Sequence, residues 1–429
     1  MKSKKALLLW TSIIRSLAKP FCSTSRLRRS RPQNNSRADL LSSNSLLYLA
    51  LGVVRVTFAR PVNVSTRAAT SLAGKNLLRS CAQANGSRSD LDLAGSSLLD
   101  CARARRAFFQ RMETTFLTLL LKRSEVSDLL DLRRAMTVLE QTFREQSNGH
   151  VKQVAPLRFM NRGMRMVVGG LDAQNKNGLR VSVTGGESMA LLFEISSGNL
   201  LCLMGYPFSN LRISATVGLA IDRFADPKAR TVAMIGSGRL ALPVLEPALA
   251  VRPVNRVLIY SRSAENRDAF ARKASEKLKI ATTAVSSAQQ AIDEAEFVLV
   301  STNSPTAALL GKWLRPGLAI FGVGRPNEFD DDVYRRADLI SVTSKRHELD
   351  YYDKKLDQLL IRLSRQGMVP WDSVVEFADI ISGKTSPPDK SASVIVFRDS
   401  QGGYGDLALA SWAYEEARRR GLGQEISTE

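Results

Sequence analysis

Arg230–Ser263, RTVAMIGSGRLALPVLEPALAVRPVNRVLIYSRS, is the stretch that decides the fold. Thr231–Ile235 is a short apolar run ending in Gly236-Ser237-Gly238; a helix-length segment follows, then a second apolar run, Arg256–Tyr260. Strand, tight glycine turn, helix and strand make the first half of a dinucleotide-binding unit. Gly236 lets the chain turn sharply out of the strand, and Gly238 removes a side chain where backbone approaches a pyrophosphate. The amides that open the next helix, around Arg239, then face the phosphate charge. Ala241 is the third small residue of the pattern and permits close packing of helix on strand. A tight turn without a ligand is the competing reading of the same residues. Pro243 is tolerated near the first turn, whereas Pro247 removes an internal hydrogen bond and counts against a regular helix.

The end of the second strand bears on the choice of cofactor. NAD sites usually carry Asp or Glu about 20 residues on, bonding the ribose 2′-hydroxyl. Here that place reads Tyr260-Ser261-Arg262-Ser263. It holds no carboxylate, and Arg262 between two hydroxyls suits a 2′-phosphate. NADP(H) is therefore expected over NAD(H), with a solvated loop arginine as the rival explanation of Arg262.

The net charge of +20 invites a nucleic-acid reading, but its distribution does not support one. Residues 1–111 carry 20 Lys/Arg against 4 Asp/Glu, which leaves 41 and 37 for the rest of the chain. The body is thus nearly balanced, and the charge belongs to the leader. That leader has no acid before Asp39 and is rich in Ser and Arg. It reads as poorly ordered: a mitochondrial transit peptide, a poor secretory signal, or an over-long translated start with Met112 as the true beginning. Leu46–Val54 is too short to span a bilayer. A cytoplasmic location is expected unless the leader is a transit peptide. Cys22, Cys81 and Cys101 lie in the leader and only Cys202 in the body; with two histidines, His150 and His347, no metal site is expected.

From Leu117 onward the pattern is α+β. Ser124 can cap a short helix to Leu130, and Asp131 a longer one over Leu132–Gln146, with Met136, Leu139 and Phe143 on one face. Strands are expected at Met164–Val168, Leu179–Val183, Met189–Ile195 and Leu200–Tyr206, separated by turns at Gly169-Gly170, Gly185-Gly186 and Ser197-Gly198-Asn199. Asn210 can cap a helix over Leu211–Phe224. After the opening nucleotide unit, helices are expected at Ala264–Leu278 and Ser286–Ala295, and strands at Glu296–Val300, 318–323 and 338–343. Helices at Tyr352–Arg365 and Trp371–Gly383, a strand at Ser393–Arg398 and a last helix at Asp406–Arg420 complete the chain. Alternation of this kind means a doubly wound parallel sheet. Ligands of such sheets lie beyond the strand carboxyl ends, so Ser301, Thr302 and Asn303 of STNSP, with Val323 and Gly324 of GVG, should line the cofactor cleft.

IGSGRLA, the YSRS loop, STNSP, GKWLRPGLAIFGVG and FRDSQGGYGDLALASWAYEEA together resemble the ornithine cyclodeaminase/mu-crystallin family, from about Leu117 to Ile426. The resemblance implies an α/β protein: a Rossmann doubly wound parallel sheet over 226–394 and an α+β substrate-binding and dimerisation domain over 112–225, joined by 395–429. It also implies a homodimer that acts on a small amino or imino acid. Arg158 in APLRF is similar to the family's first substrate-carboxylate arginine, and Arg212 in NLRISA to the arginine of its LRTAA motif. Asp406 stands where the family has an aspartate opening its last helix. Three departures accompany these matches. The family's active-site lysine is here Arg180 in GLRVSV, which keeps the charge but cannot exchange a proton near neutral pH. The threonine after the LRTAA arginine is Ile213. The loop after GVG is short, Arg325–Asp330, and lacks a counterpart to the cyclodeaminases' catalytic aspartate.

An NADP(H)-dependent oxidoreductase of a small α-amino or cyclic imino carboxylate is expected, with Arg158, Arg180 and Arg212 holding the carboxylate. Arg180 and Asp406 are its candidate catalytic residues, and Glu328 and His347 its candidate proton helpers. Ornithine cyclodeamination with NAD is the alternative, and a non-catalytic NADPH-binding protein the third reading. Membrane and nucleic-acid partners are not expected.

Overall fold

The computed structural model describes residues 117–154, 156–159, 163–350, 357–400 and 403–427, with only the backbone of Arg158 and Phe159. The leader, together with the targeting and start-site readings attached to it, lies outside the described residues, as do the first residues of the helix expected from Tyr352.

The described residues build two eight-stranded sheets. The first uses β1 (Leu117–Leu121), β2 (Val151–Gln153), β3 (Leu157–Phe159), β4 (Met164–Leu171), β5 (Lys176–Ser182), β6 (Ser188–Glu194) and β7 (Leu200–Met204), and is closed by β16 (Gln424–Ser427). Its order is β16-β1-β7-β6-β5-β4-β2, with β3 also paired to β4. Among the described residues, three helices precede the second sheet: α1 (Arg123–Leu129), α2 (Leu132–Ser147) and α3 (Phe208–Phe224). Asp131 starts α2 as expected, its Oδ1 accepting the Arg134 amide at 2.7 Å. Ala135, Leu139 and Phe143 then turn one buried face of α2 to the core.

Two local expectations are corrected. Gly169 and Gly170 are not a turn, because β4 runs through them to Leu171. Gly169 pairs with Gly178 of β5, and a Cβ on either would crowd Leu407. The two glycines therefore let the last helix approach the sheet closely. Asn210 is not a cap either, since α3 begins at Phe208 after Pro207. Its side-chain oxygen instead accepts Arg239 Nη1 at 2.7 Å.

The second sheet is wholly parallel. Its first strands are β8 (Thr231–Ile235), β9 (Arg256–Tyr260), β10 (Ala281–Ala284), β11 (Phe297–Val300) and β12 (Ala319–Gly322), followed by β13 (Leu339–Val342), β14 (Val374–Glu376) and β15 (Ile395–Arg398). They stand in the order β10-β9-β8-β11-β12-β15-β13-β14. Between β8 and β11 the order of strand addition reverses, and such a switch point is where doubly wound sheets open a ligand crevice. β11, β12, β13 and β15 are buried at every position, as strands covered on both faces must be. The helices are α4 (Ala241–Val251), α5 (Ala264–Leu278), α6 (Ala288–Asp293), α7 (Asp331–Arg335), α8 (Lys345–Leu349), α9 (Leu359–Arg365), α10 (Phe377–Ser382) and α11 (Tyr404–Arg420).

α4 continues through Pro247 despite the missing amide. The carbonyl that this amide would have served is that of Pro243, and Ser214 Oγ of α3 bonds it instead. A hydroxyl from the neighbouring helix thus repairs the break that proline makes. Trp371–Gly383 is not one helix: it divides into the edge strand β14 and the short α10. β15 lies inside the second sheet, between β12 and β13, so the chain leaves that sheet only after Arg398. It then enters α11, which packs on the first sheet.

Candidate functional site

A cleft of about 1390 Å³ runs along the carboxyl ends of β8, β9, β11 and β12 and on to the floor formed by β4, β5 and β6. Gly236, at its centre, has φ +111°, and a Cβ there would collide with the carbonyl oxygen of Ser301. Only glycine fits this position without strain. Gly238 faces open space, with nothing within 4 Å of where a Cβ would stand. The amides of Gly238, Arg239 and Leu240 find no acceptor among the described residues. A bare glycine, outward amides and the start of α4 together fit a diphosphate, and no side chain plugs the turn. Ala241 is fully buried beneath it and acts through packing rather than contact.

At one end of the cleft, Ser237 Oγ bonds Ser261 Oγ at 3.0 Å, and Ser263 caps α5 through the Asn266 amide at 3.2 Å. Arg262 is exposed on the rim between them. Ser301, Thr302, Asn303, Val323 and Gly324 line the middle, as the two loop motifs predict. Arg165 and Arg180 line the far end. The described lining residues include five arginines and no aspartate or glutamate.

The family-derived carboxylate residues divide. Arg180 lies at the cleft wall with Nη1 on Ser182 Oγ at 2.7 Å and Nε on Asp406 Oδ2 at 2.6 Å. Arg158 is placed by its strand, with its backbone in register opposite Arg165. Arg212 does not line the cleft. It is 3% exposed, donates Nη1 to both oxygens of Asp399 at 2.9 and 2.7 Å, and has Nε 3.5 Å from Asp406 Oδ1. Burial pulls its pKa down, but Asp399 and Asp406 more than restore it, so it stays charged. Arg180, Arg212, Asp399 and Asp406 thus form a buried cluster of balanced charge, with Arg180 alone reaching the cleft. Asp406, 1% exposed in the first turn of α11, meets the cleft wall through its ion pair with Arg180. The expected direct grip by Arg212 and direct contact by Asp406 do not fit this geometry, since neither side chain lines the cleft.

Neither proposed proton helper reaches the cleft. Glu328 is fully buried, with Oε1 accepting the Thr302 amide at 2.7 Å and Oε2 the Gly324 amide at 2.8 Å. Burial pushes its pKa up to about 8, against the pull of those two amides. His347, 1% exposed, places Nε2 2.9 Å from the carbonyl oxygen of Val154, so that nitrogen carries the hydrogen. Burial lowers its pKa to about 4. The unfolded chain protonates this ring below about 6.5, whereas the folded chain resists until about 4. Stability therefore falls as pH drops through that window, by roughly 3 kcal/mol at full effect. Thermal melts of His347→Gln should lose most of this acid-side slope; a slope equal to wild type would count against it.

Arg165, Asp399, Glu348 and Arg398 were not singled out from the sequence. Arg398 and Glu348 pair in the interior at 3.1 Å, and Arg398 Nη1 also bonds the Arg325 carbonyl at 3.1 Å. Asp399 sits inside FRDSQGG, and nothing local in that motif marks it as the acid that faces Arg212. Among the described residues, no group of three metal-ligating side chains converges, and no helix is long and apolar enough to cross a membrane.

Fold and cleft together define an α/β protein of dinucleotide-binding type whose parallel sheet is accompanied by a second, largely antiparallel sheet. The model of the ornithine cyclodeaminase/mu-crystallin family matches residues 117–421, and the chain belongs to that family. It is similar to a Delta(1)-pyrroline-2-carboxylate reductase of Bacillus cereus, 29% identical over 244 residues, 56% of this chain and 73% of the relative. It is also similar to the ketimine reductase mu-crystallin of Mus musculus, 26% identical over 234 residues, 53% of this chain and 69% of the relative. The solved Delta(1)-pyrroline-2-carboxylate reductase of Thermococcus litoralis, in complex with NADH and L-proline, superposes with a TM-score of 0.65 at 24% identity. That match covers 72% of this chain and 100% of the other.

Proposed function

We propose that the protein is a nicotinamide-dependent reductase of small imino carboxylates. The cleft that carries this reading has a bare glycine turn for a diphosphate at its centre and the guanidinium groups of Arg165 and Arg180 at its far end, with no carboxylate among its described lining residues. Bound in that cleft, the reduced nicotinamide would supply hydride to the imine carbon. Arg180, locked by Asp406 and Ser182, orients the substrate carboxylate, and Arg165 stands beside it. Reduction of an imine needs orientation and charge stabilisation more than a protein base. Ornithine deamination needs a base, and the short loop that replaces the family's catalytic aspartate buries its one glutamate, Glu328. NADPH oxidation with pyrroline-2-carboxylate tests the reading. Ammonia released from ornithine without net cofactor turnover would sink it in favour of cyclodeamination, and NADPH binding with neither reaction would favour a non-catalytic binder.

NADP(H) is the favoured cofactor, because Arg262 is exposed on the rim between Ser261 and Ser263, where a 2′-phosphate would lie. Arg262→Ala should raise the KM for NADPH about tenfold or more and leave that for NADH within about twofold. An unchanged NADPH/NADH ratio would exclude this role.

The working form is inferred to be a homodimer joined through the first sheet. Leu157, Met166, Val181 and Met189 form one cross-strand row, and Val168, Leu179, Leu191 and Leu203 the next. Both rows point away from Arg165 and Arg180, and no residue of either is fully buried. An apolar sheet face of this extent fits a second copy of itself. Leu191→Lys should halve the mass measured by light scattering; an unchanged mass would rule this face out.

A further inference from the structure

Arg180 brings its own counter-charge to the cleft, and Arg325 does not. Arg180 and Arg212 are matched by Asp399 and Asp406, so that cluster carries no net charge. Arg325 is half-buried in the cleft wall, and its side chain makes no hydrogen bond or ion pair among the described residues. Glu328, the nearest acid along the chain, is bonded to the Thr302 and Gly324 amides. With its pKa pushed up to about 8, it stays largely protonated at neutral pH. Glu348 faces Arg398 at 3.1 Å, so it does not neutralise Arg325 either. Arg325 is an uncompensated cation.

Its backbone is held while its tip is free. The Arg325 carbonyl accepts Arg398 Nη1 at 3.1 Å and the Glu328 amide at 3.3 Å. On one side the Gly324 amide is tied to Glu328, and on the other Pro326 biases Arg325 toward an extended backbone. The residue leaves the end of β12, whose neighbour β11 runs into the Ser301–Asn303 loop. In a doubly wound sheet, that is the ligand-bearing side.

A free guanidinium offers five donors and a full charge, and a small carboxylate offers two acceptor oxygens and the opposite charge. Arg180, with Nε on Asp406 and Nη1 on Ser182, has a fixed plane, but the acid beside it cancels most of its pull on a distant anion. Arg212, the expected second arm, spends Nη1 on Asp399. We propose that Arg325 supplies the net charge that draws the substrate carboxylate to this part of the cleft, while Arg180 sets its orientation. This rests on the reductase reading and adds a substrate-binding residue to it.

Two measurements test the assignment. Calorimetric titration of the NADP⁺-loaded protein with L-proline and L-alanine, each against its amide, reads it without turnover. The wild type should bind at least one acid tenfold or more tightly than its amide. Arg325→Gln should cut that preference about tenfold, and Arg325→Lys, which keeps the charge, should restore most of it. In steady-state kinetics, Arg325→Gln should raise the KM for pyrroline-2-carboxylate about tenfold or more and leave that for NADPH within about threefold. Unchanged KM and an unchanged acid preference in Arg325→Gln overturn the assignment and leave the reductase reading standing. A loss equally large in the glutamine and lysine variants traces the effect to the shape of the loop and also overturns it. If the wild type reduces no imine, the reductase reading falls and the titration alone judges the residue. A preference lost in glutamine and regained in lysine then supports it, and no preference in the wild type overturns it.

Discussion

Replacing Asp406 with alanine is expected to destabilise the protein by about 3–5 kcal/mol and to lower turnover roughly a hundredfold. Asp406 is shared by two guanidinium groups, Arg180 Nε at 2.6 Å and Arg212 Nε at 3.5 Å, and all three residues are at most 3% exposed. Arg212 would keep Asp399, but Arg180 would keep only the Ser182 hydroxyl. A buried charge stripped of its partner carries the full cost of desolvation, far above the worth of an exposed pair. The loss of turnover has a separate cause, because the Nε bond fixes the plane in which Arg180 presents its remaining donors to the cleft. Asp406→Asn keeps the shape and one acceptor oxygen, so it should recover stability more fully than turnover. Urea unfolding of both variants, beside steady-state kinetics, makes the comparison. A shift below about 1 kcal/mol for alanine would mean that the cluster is wetter or looser than its geometry implies.

The nucleotide half was legible because its signals are local. Thr231–Ile235, Arg256–Tyr260 and Ala264–Leu278 fall at the expected positions, and Gly236 has the positive φ that its place in the motif demands. Failures came where a distant residue decides. Gly169 looks like part of a turn until α11 is known to need the space, and Pro247 looks like a break in the helix until Ser214 is known to bond the Pro243 carbonyl. The site shows the same division. Sequence placed Arg212 in a motif, but nothing local reveals that Asp399, far along the chain, occupies its guanidinium. Arg165 was hidden for the opposite reason: it sits in an ordinary strand, and only the register of β4 on β5 sets it beside Ser182. Short strands such as β2 and β10 carry too few residues for alternation to register.

Glu328→Gln should weaken NADPH binding about tenfold or more while leaving the overall fold intact. The carboxyl group of Glu328 is a staple between two loops of the cleft, one oxygen on the Thr302 amide and the other on the Gly324 amide. Gly324 has no room for a side chain because Glu328 and the Thr302 carbonyl already crowd it. Both loops close the carboxyl ends of adjacent central strands, so their spacing sets the width of the cleft where the nicotinamide half of a dinucleotide would lie. Glutamine offers one carbonyl oxygen and turns its amide donors toward the other N–H, so one of the two bonds is lost and replaced by a donor facing a donor. A lost bond of this kind is worth about 1.5–3 kcal/mol, enough for a tenfold to hundredfold change in affinity. Fluorescence titration with NADPH reads the effect directly, without turnover. pH supplies an independent check. Folding raises this carboxyl from 4.5 to about 8, so the folded chain keeps a proton that the unfolded chain has released. Its contribution to stability is complete below about 4.5 and declines as pH rises to about 8. Glu328→Gln cannot titrate and should lack that decline. Unchanged NADPH affinity together with a pH–stability curve identical to wild type would show that the two loops hold their spacing without Glu328.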